Sequence, residues 1–193
     1  MATHISPPRP GRAPVVVDRA TDPAVAGSVA ALLDEFLGDG LHDPDDIAGT
    51  IADPSGGVVV TAYSTGAFIG AATAHVGDQL DRQSLAELWP TGRPALPGRF
   101  GMLDSAVLRP GWRGQGIGRQ LAEQRISHLA AVGVDAVVAY SWESGAAHRS
   151  RPVLEKIGFQ PVVTVGGVWS GIPCPHCGSS CGCDATIEML LLH

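Results

Sequence analysis

Arg113-Gly114-Gln115-Gly116-Ile117-Gly118 is the stretch on which the reading of this chain turns. It separates an apolar segment, Met102 to Leu108, from a helical one, Ile117 to Val132. Glycines lack a Cβ and let backbone amides approach an anion closely, and amides at a helix start carry the positive end of the helix dipole. The junction is suited to wrapping a phosphate. Two familiar phosphate loops fail on spacing. A P-loop needs Gly-Lys followed by Ser or Thr, and the single lysine of the chain is Lys156. A G-x-G-x-x-G dinucleotide fingerprint starting at Gly114 needs glycine at position 119, which is Arg119.

What fits is R-x-x-G-x-G, read through Arg113, Gly116 and Gly118, preceded by Leu108-Arg109-Pro110-Gly111-Trp112. Downstream, Leu154-Glu155-Lys156-Ile157-Gly158-Phe159-Gln160 closes a helix with lysine, an apolar residue, glycine and phenylalanine before a strand. The two segments together resemble the pyrophosphate-binding motif and the last long helix of the GNAT superfamily of acyl-CoA N-acyltransferases. The motifs cover roughly Asp104 to Val163, with the order of elements supporting residues 14 to 193.

The chain has 193 residues, enough for one well-cored domain and short for two. Hydrophobic residues make up 45%, and the longest apolar runs fall far below a membrane span of about 20 residues. Residues 1 to 13 are proline-rich with no apolar core, and read as a disordered tail without a signal peptide. The expectation is a cytoplasmic protein. A formal net charge of -6 without a basic cluster argues against nucleic acid; it suits a cationic amine, or is simply a soluble surface.

Pro14 to Asp18 reads as a first strand. A helix capped by Thr21 or Asp22 follows, with Pro23 in its first turn and Gly38 and Gly40 at its end. Asp43-Pro44 opens a second, short helix through Ile51. Strands at Val58 to Tyr63 and Phe68 to His75 are joined by the hairpin turn Ser64-Thr65-Gly66. Gly77 to Arg99 reads as loop-rich, with a short helix at Ser84 to Leu88; such a long connection either covers a substrate cleft or packs against a second copy in a homodimer. Phe100 to Leu108 is the fourth strand. Ile117 to Val132 is a helix with Ile117, Leu121, Ala122, Ile126, Leu129 and Ala130 on one face. A strand at Val134 to Tyr140, a helix at Ser144 to Ile157 with Pro152 inside it, and strands at Gln160 to Val168 and Thr186 to Leu192 complete the order. This order is that of the GNAT fold. The resemblance implies an α/β (α+β) domain with a mixed central sheet of about seven strands flanked by helices, splayed between strands four and five.

The activity implied is N-acetyl transfer by direct attack of a neutral primary amine, most simply a small molecule, on the thioester of acetyl-CoA. Amides of Arg113, Gly114, Gln115, Gly116, Ile117 and Gly118 would bind the pyrophosphate, and Val107 and Leu108 would pair with the pantetheine arm. Arg113 acts by its guanidinium or through its backbone alone. Arg119, a turn on, reaches a coenzyme phosphate or faces solvent. An ammonium must lose a proton before attack. Asp104 is the first candidate base, an ionisable residue in an otherwise apolar strand; a carboxylate satisfied by backbone amides is the competing reading. His75 and Glu87 are weaker candidates. Many family members carry a tyrosine just before the Glu-Lys pair as acid to the departing thiolate, and this chain has Leu154 there. Tyr140, Ser141, His148, Ser150 or water are left to supply that proton. Transfer of a longer acyl group and a CoA-binding regulatory module with little turnover are the alternatives.

All four cysteines fall within ten residues: Cys174, Cys177, Cys181 and Cys183. Cys174-Pro175-His176-Cys177-Gly178 has the form of a metal knuckle, and Cys181-Gly182-Cys183 supplies a second pair. Four soft ligands without an open position suit a structural zinc ion. Disulfides, redox-active thiols and His176 in place of one thiolate are the other readings.

Overall fold

A computed structural model describes residues 13–143, 150–171, 174–175, 177–178 and 181–192. The predicted tail at 1 to 12, the start of the predicted helix at 144 to 149 with His148, and His176 lie outside the described residues. The elements are β1 (Val15–Arg19), α1 (Ala26–Leu37), α2 (Pro44–Ala52), β2 (Gly57–Ser64), β3 (Ala67–Val76), α3 (Gln79–Leu88), β4 (Phe100–Leu108), α4 (Ile117–Ala131), β5 (Ala136–Glu143), α5 (Arg151–Ile157), β6 (Gln160–Gly166) and β7 (Asp184–Leu191). The strands form a seven-stranded mixed sheet in the order β1-β2-β3-β4-β5-β7-β6. β4 and β5 run parallel, paired from Phe100–Ala136 to Leu103–Ala139, whereas β5 with β7 and β6 with β7 are antiparallel. No described helix is long and apolar enough to cross a membrane.

The chain divides into two compact units. The first holds the described residues up to Ala74 together with Ser105–His128. Asp22 accepts the Ala24 N–H at 2.9 Å and Pro23 opens a single 3-10 turn, which sets the entry of α1. Asp43 accepts the Asp45 N–H at 2.8 Å and caps α2 in the same way. Val29, Leu32 and Leu33 of α1, each 1% exposed or less, meet Ile47 and Ile51 of α2, Val59 of β2 and Val107 of β4. Burial of each such side chain stabilises by roughly 1.5–3 kcal/mol. Thr65 (φ 47°) and Gly66 (φ 83°) make the two-residue turn between β2 and β3, both left-handed as a type I′ hairpin requires.

The second unit holds His75–Asp104 and the described residues from Leu129 onward. Phe100, fully buried, packs with Leu85 of α3, Ala136 and Val138 of β5 and Ile187 of β7. Gly158 (φ 116°) stops α5 and turns the chain into β6. Pro152 sits in the first turn of α5, where its missing N–H costs no hydrogen bond.

Two stretches differ from the sequence expectation. The segment after β3 is more helical than its turn residues indicate, because α3 starts five residues before Ser84. Asp78 caps the Leu80 and Asp81 N–H groups while Asp81 accepts the Asp78 N–H in return, a capping box with aspartate at the third position. The rest of that connection is tied down: Arg82 donates to the carbonyls of Pro97 and Gly98, and the Trp89 indole to Pro94. In α4 the inward face includes Arg125, 4% exposed, while Ala130 is exposed. The Arg125 guanidinium donates to the carbonyls of Leu121 and Thr73, so backbone acceptors repay the cost of burying a charge.

Candidate functional site

In the first unit, β4 ends at Leu108 and one 3-10 turn over Pro110–Trp112 leads into the glycine loop. Gly114 (φ 71°) and Gly116 (φ 82°) are both left-handed, a conformation that costs a residue with a Cβ about 1–2 kcal/mol. The intrahelical bond from Gln120 N–H to the Gly116 carbonyl, 3.1 Å, begins the ladder of α4. The amides just before it belong to the opening turn, whose N–H groups have no acceptor within the helix.

The side chains around that loop are committed to shaping it. Arg113 Nε donates to the Leu108 carbonyl at 2.9 Å, and its guanidinium lies over the Phe36 ring at 5.6 Å. Gln115 donates to the Gly111 carbonyl. Arg119 pairs with Glu123 one turn on, at 2.7 Å, and is 58% exposed. Arg109 pairs with Glu35 of α1 at 3.2 Å. Val107 is buried and Leu108 half-buried. Gly70 of β3 packs against both: a Cβ there would meet Leu108 Cδ2 at 2.4 Å and the Val107 carbonyl at 2.9 Å.

In the second unit, His75 at the end of β3 and Asp104 on β4 are brought together, with Asp81 of α3 joining them. His75 Nδ1 lies 2.9 Å from Asp104 Oδ1 and its Nε2 2.8 Å from Asp81 Oδ2. The hydrogen bond to Asp104 raises the His75 pKa against the opposing effect of burial, and with the Asp104 charge and Asp81 it comes to about 9. Both ring nitrogens are engaged with carboxylates, so His75 is an imidazolium at neutral pH with no lone pair to offer a substrate. Tyr140 is half-buried in the apolar cluster of this unit; burial, and then the Asp81 charge, raise its pKa and keep the phenol protonated. Glu87 is exposed on α3. Asp81 carries no signal in the sequence beyond its place in the capping box.

Ser141 and Ser150 also meet. Ser150 Oγ donates to Ser141 Oγ at 3.2 Å, and Ser141 in turn donates to Glu188 of β7. Glu188 is fully buried, and burial raises its carboxyl above the ordinary range despite the serine. Leu154, at the position of the family tyrosine, is 5% exposed.

The four cysteine sulfurs lie within 4.8 Å of one another. Cys174, Cys181 and Cys183 are buried and Cys177 is exposed. The Cys177 N–H donates to Cys174 Sγ at 3.3 Å, and Cys174 and Gly178 bridge antiparallel. Trp142 and Trp169, edge to face at 6.0 Å, pack against the cluster. Burial pushes the Cys183 thiol up to about 12, whereas the Gly182 amide and neighbouring thiols lower Cys177.

The mixed sheet and the glycine loop opening α4 are the framework of a coenzyme A-dependent acyltransferase. The chain belongs to the acetyltransferase (GNAT) family, whose sequence model matches residues 28–159. The fold is similar to that of a putative acetyltransferase from Salmonella typhimurium solved with its cofactor acetyl-CoA, with TM-score 0.64, 18% identity, and 93% of this chain and 94% of the other covered. It is similar to a ribosomal-protein-alanine N-acetyltransferase from Brucella melitensis (TM-score 0.62, 19% identity, 92% and 99% covered). A phosphinothricin acetyltransferase from Sinorhizobium meliloti in complex with acetyl-CoA gives TM-score 0.65 at 17% identity, with 92% and 88% covered. Curated protein sequences give no match.

Proposed function

We propose that this protein is an N-acetyltransferase that moves the acetyl group of acetyl-CoA directly to a primary amine, and that residues 14–193 serve as one catalytic domain. The observation that carries the reading is the left-handed pair Gly114 and Gly116 just before α4, a backbone form that suits successive amides to one anion. In this assignment the amides from Arg113 to Gly118 hold the pyrophosphate, and Arg113 braces the loop against Leu108 and Phe36. Arg119, exposed and paired only with Glu123 among the contacts above, is free to swing toward a coenzyme phosphate. Val107 and Leu108 pair with the pantetheine arm through their backbone.

Asp104 is assigned as the base, because of the two carboxylates that His75 holds it is the one on β4, the strand that leads into the coenzyme loop. His75 is then a positioning residue, which revises the expectation that it takes the proton itself. The family tyrosine being replaced by Leu154, the departing thiolate takes its proton from Tyr140 or water. A CoA thiol is acidic enough that a strong acid is not required. The buried Leu154 also favours a second reading, a CoA-binding module with slow turnover.

Cys174, Cys177, Cys181 and Cys183 are assigned to a structural zinc ion. Tetrahedral zinc with Zn–S distances of about 2.3 Å needs sulfurs about 3.8 Å apart, and the cluster has sulfurs of that grouping, mostly shielded from water. A bound dication supplies the charge that lets buried thiolates exist. The acceptor is a small amine rather than nucleic acid, and the enzyme is cytoplasmic.

The test is calorimetric titration with acetyl-CoA, followed by thiol release across a panel of amines. Binding with amine-dependent release supports the transferase. Binding without release under any acceptor supports the module, and failure to bind acetyl-CoA removes both.

A further inference from the structure

Asp34, His42 and Ser105 stand in a hydrogen-bonded line within the first unit. Asp34 belongs to α1, His42 to the connection between α1 and α2, and Ser105 to β4. His42 Nδ1 lies 2.6 Å from Asp34 Oδ1, and His42 Nε2 lies 2.8 Å from Ser105 Oγ. The His42 and Asp34 side chains are 15% and 17% exposed. Asp34 also accepts the N–H groups of Gly40 at 2.9 Å and His42 at 3.1 Å, so the carboxylate is fixed and the loop carrying the imidazole is tied to it. Those two backbone bonds already anchor the loop. The contact from Nε2 to Ser105 is additional to what anchoring needs.

Burial raises the Asp34 carboxyl, but the hydrogen bonds from His42 and Gly40 outweigh it and hold the group below the ordinary carboxylate range. An ionised Asp34 takes the Nδ1–H, which turns the Nε2 lone pair toward the Ser105 hydroxyl. Carboxylate, imidazole and hydroxyl in this order are the parts of an activated serine. Ser105 itself is half-buried, and its backbone is held by an N–H bond to Thr73 Oγ1 and by the Arg125 guanidinium on its carbonyl.

We propose that Ser105 is an acyl-accepting nucleophile, and that in the absence of an amine the protein hydrolyses acetyl-CoA through an O-acetyl-Ser105 ester. The proposal rests on the coenzyme reading above: Val107, whose backbone is assigned there to the pantetheine arm, is two residues along β4 from Ser105. Ser105 Oγ forms a bond to the thioester carbonyl carbon while its proton passes to His42 Nε2. The carbon–sulfur bond breaks, and the thiolate of CoA takes that proton. A water molecule then attacks the ester carbonyl, losing its proton to His42; the ester bond breaks, acetate leaves, and His42 returns the proton to Ser105 Oγ. The sum is acetyl-CoA and water giving free CoA and acetic acid, which ionises to acetate and a proton, with no oxidant or reductant.

The test uses the full chain with acetyl-CoA alone, quenched in acid, with mass spectrometry of the peptide bearing Ser105 and a thiol-release assay. The expected result is one acetyl group on Ser105, and acceptor-free thiol release that falls by about tenfold or more in Ser105→Ala and His42→Gln. Ser105→Cys keeps a nucleophile in place and should carry the acetyl group as a thioester. A fluorophosphonate probe without any coenzyme should modify Ser105, and less so in His42→Gln. A protein that binds acetyl-CoA by calorimetry yet carries no acetyl at position 105, with equal thiol release from wild type and Ser105→Ala, overturns the proposal. If acetyl-CoA does not bind, the coenzyme reading falls by itself; the fluorophosphonate then decides whether Ser105 is activated, and its failure to react overturns that as well.

Discussion

His75 Nδ1 stands 2.9 Å from Asp104 Oδ1, with Asp81 on the opposite ring nitrogen at 2.8 Å. The carboxylates hold the imidazole protonated, and the imidazolium fixes the orientation of Asp104. Its folded pKa of about 9 stands above the ordinary 6.5, so the stabilisation is fully present below about pH 6.5 and is lost as pH rises through 9. The side chain is 38% exposed, so solvent screening leaves about 1 kcal/mol of it. Thermal melts between pH 6 and 10 should show this loss in the wild type and not in His75→Gln, and the imidazole resonances should titrate near pH 9. A titration near 6.5 would show that the two carboxylates do not act on the ring.

The base assignment predicts different responses from Asp104 and from His75, which aims it. Asp104→Asn should lower kcat by about 100-fold or more with the KM for acetyl-CoA little changed. His75→Gln, which keeps a hydrogen-bond donor without the charge, should lose less and shift the pH profile of kcat/KM. Equal and complete loss in both, or an Asp104→Asn enzyme of normal rate, would remove Asp104 from the base assignment.

What was legible in the sequence is what local spacing determines. The loop between β4 and α4, the caps at Asp22 and Asp43, and the hairpin at Thr65-Gly66 are each encoded within a few residues. The cysteine cluster is also local, and its sulfurs are gathered as the spacing indicates. The helix α3 was obscured because a capping box with Asp at both ends resembles a run of loop residues. Contacts across long stretches of chain left no sign. Arg125 looks like a solvent-facing arginine until Thr73, 52 residues earlier, supplies its carbonyl. His42 and Ser105 are 63 residues apart, and neither has neighbours that mark it as paired. Hydrophobic periodicity identifies faces, and says nothing of which polar groups meet across them.

The two glycine types of the loop should respond differently to alanine. Gly116 is left-handed, so Gly116→Ala strains the backbone by about 1–2 kcal/mol and turns the amides away from the anion. Gly118 lies in the first turn of α4, and a Cβ there meets only Leu108 Cδ1, at an ordinary 3.7 Å. Gly118→Ala should therefore keep or slightly raise the melting temperature, by the roughly 0.5–1 kcal/mol of alanine's helix preference. If it nonetheless weakens acetyl-CoA binding in calorimetry, the Cβ is obstructing the ligand rather than the fold. Unchanged affinity in both variants would contradict the phosphate assignment.

Gly70 tests the strand beside the loop. A Cβ there meets the Val107 carbonyl at 2.9 Å, and backbone cannot retreat as a flexible side chain can. Gly70→Ala should destabilise by about 1–3 kcal/mol through overpacking. It should also raise the KM for acetyl-CoA, since Val107 and Leu108 are displaced together. Gly27, with open space around its Cβ position, is the matched control and should accept alanine with little change in either measurement. A Gly70→Ala protein with wild-type stability and KM would mean that β4 shifts freely at this level.

The zinc assignment predicts one equivalent of metal per chain in reduced protein by elemental analysis. Three of the four thiols are buried, so removing the dication leaves either buried thiolates without a counter-charge or neutral thiols in a site shaped for sulfurs drawn together. A strong chelator should cost about 3 kcal/mol, which for a chain of this size lowers the melting temperature by about 6–12 °C. The effect should be concentrated where the cluster touches the fold: amide exchange should rise in β6, β7 and at Trp142, which packs on the cysteines, with the core of α1 and α2 unchanged. Cys183→Ser should reproduce the chelated state, and added zinc should rescue the chelated wild type but not the variant. Reduced protein without stoichiometric zinc, or a melting temperature indifferent to chelator, would mean that the grouping of the four cysteines serves packing and not a metal.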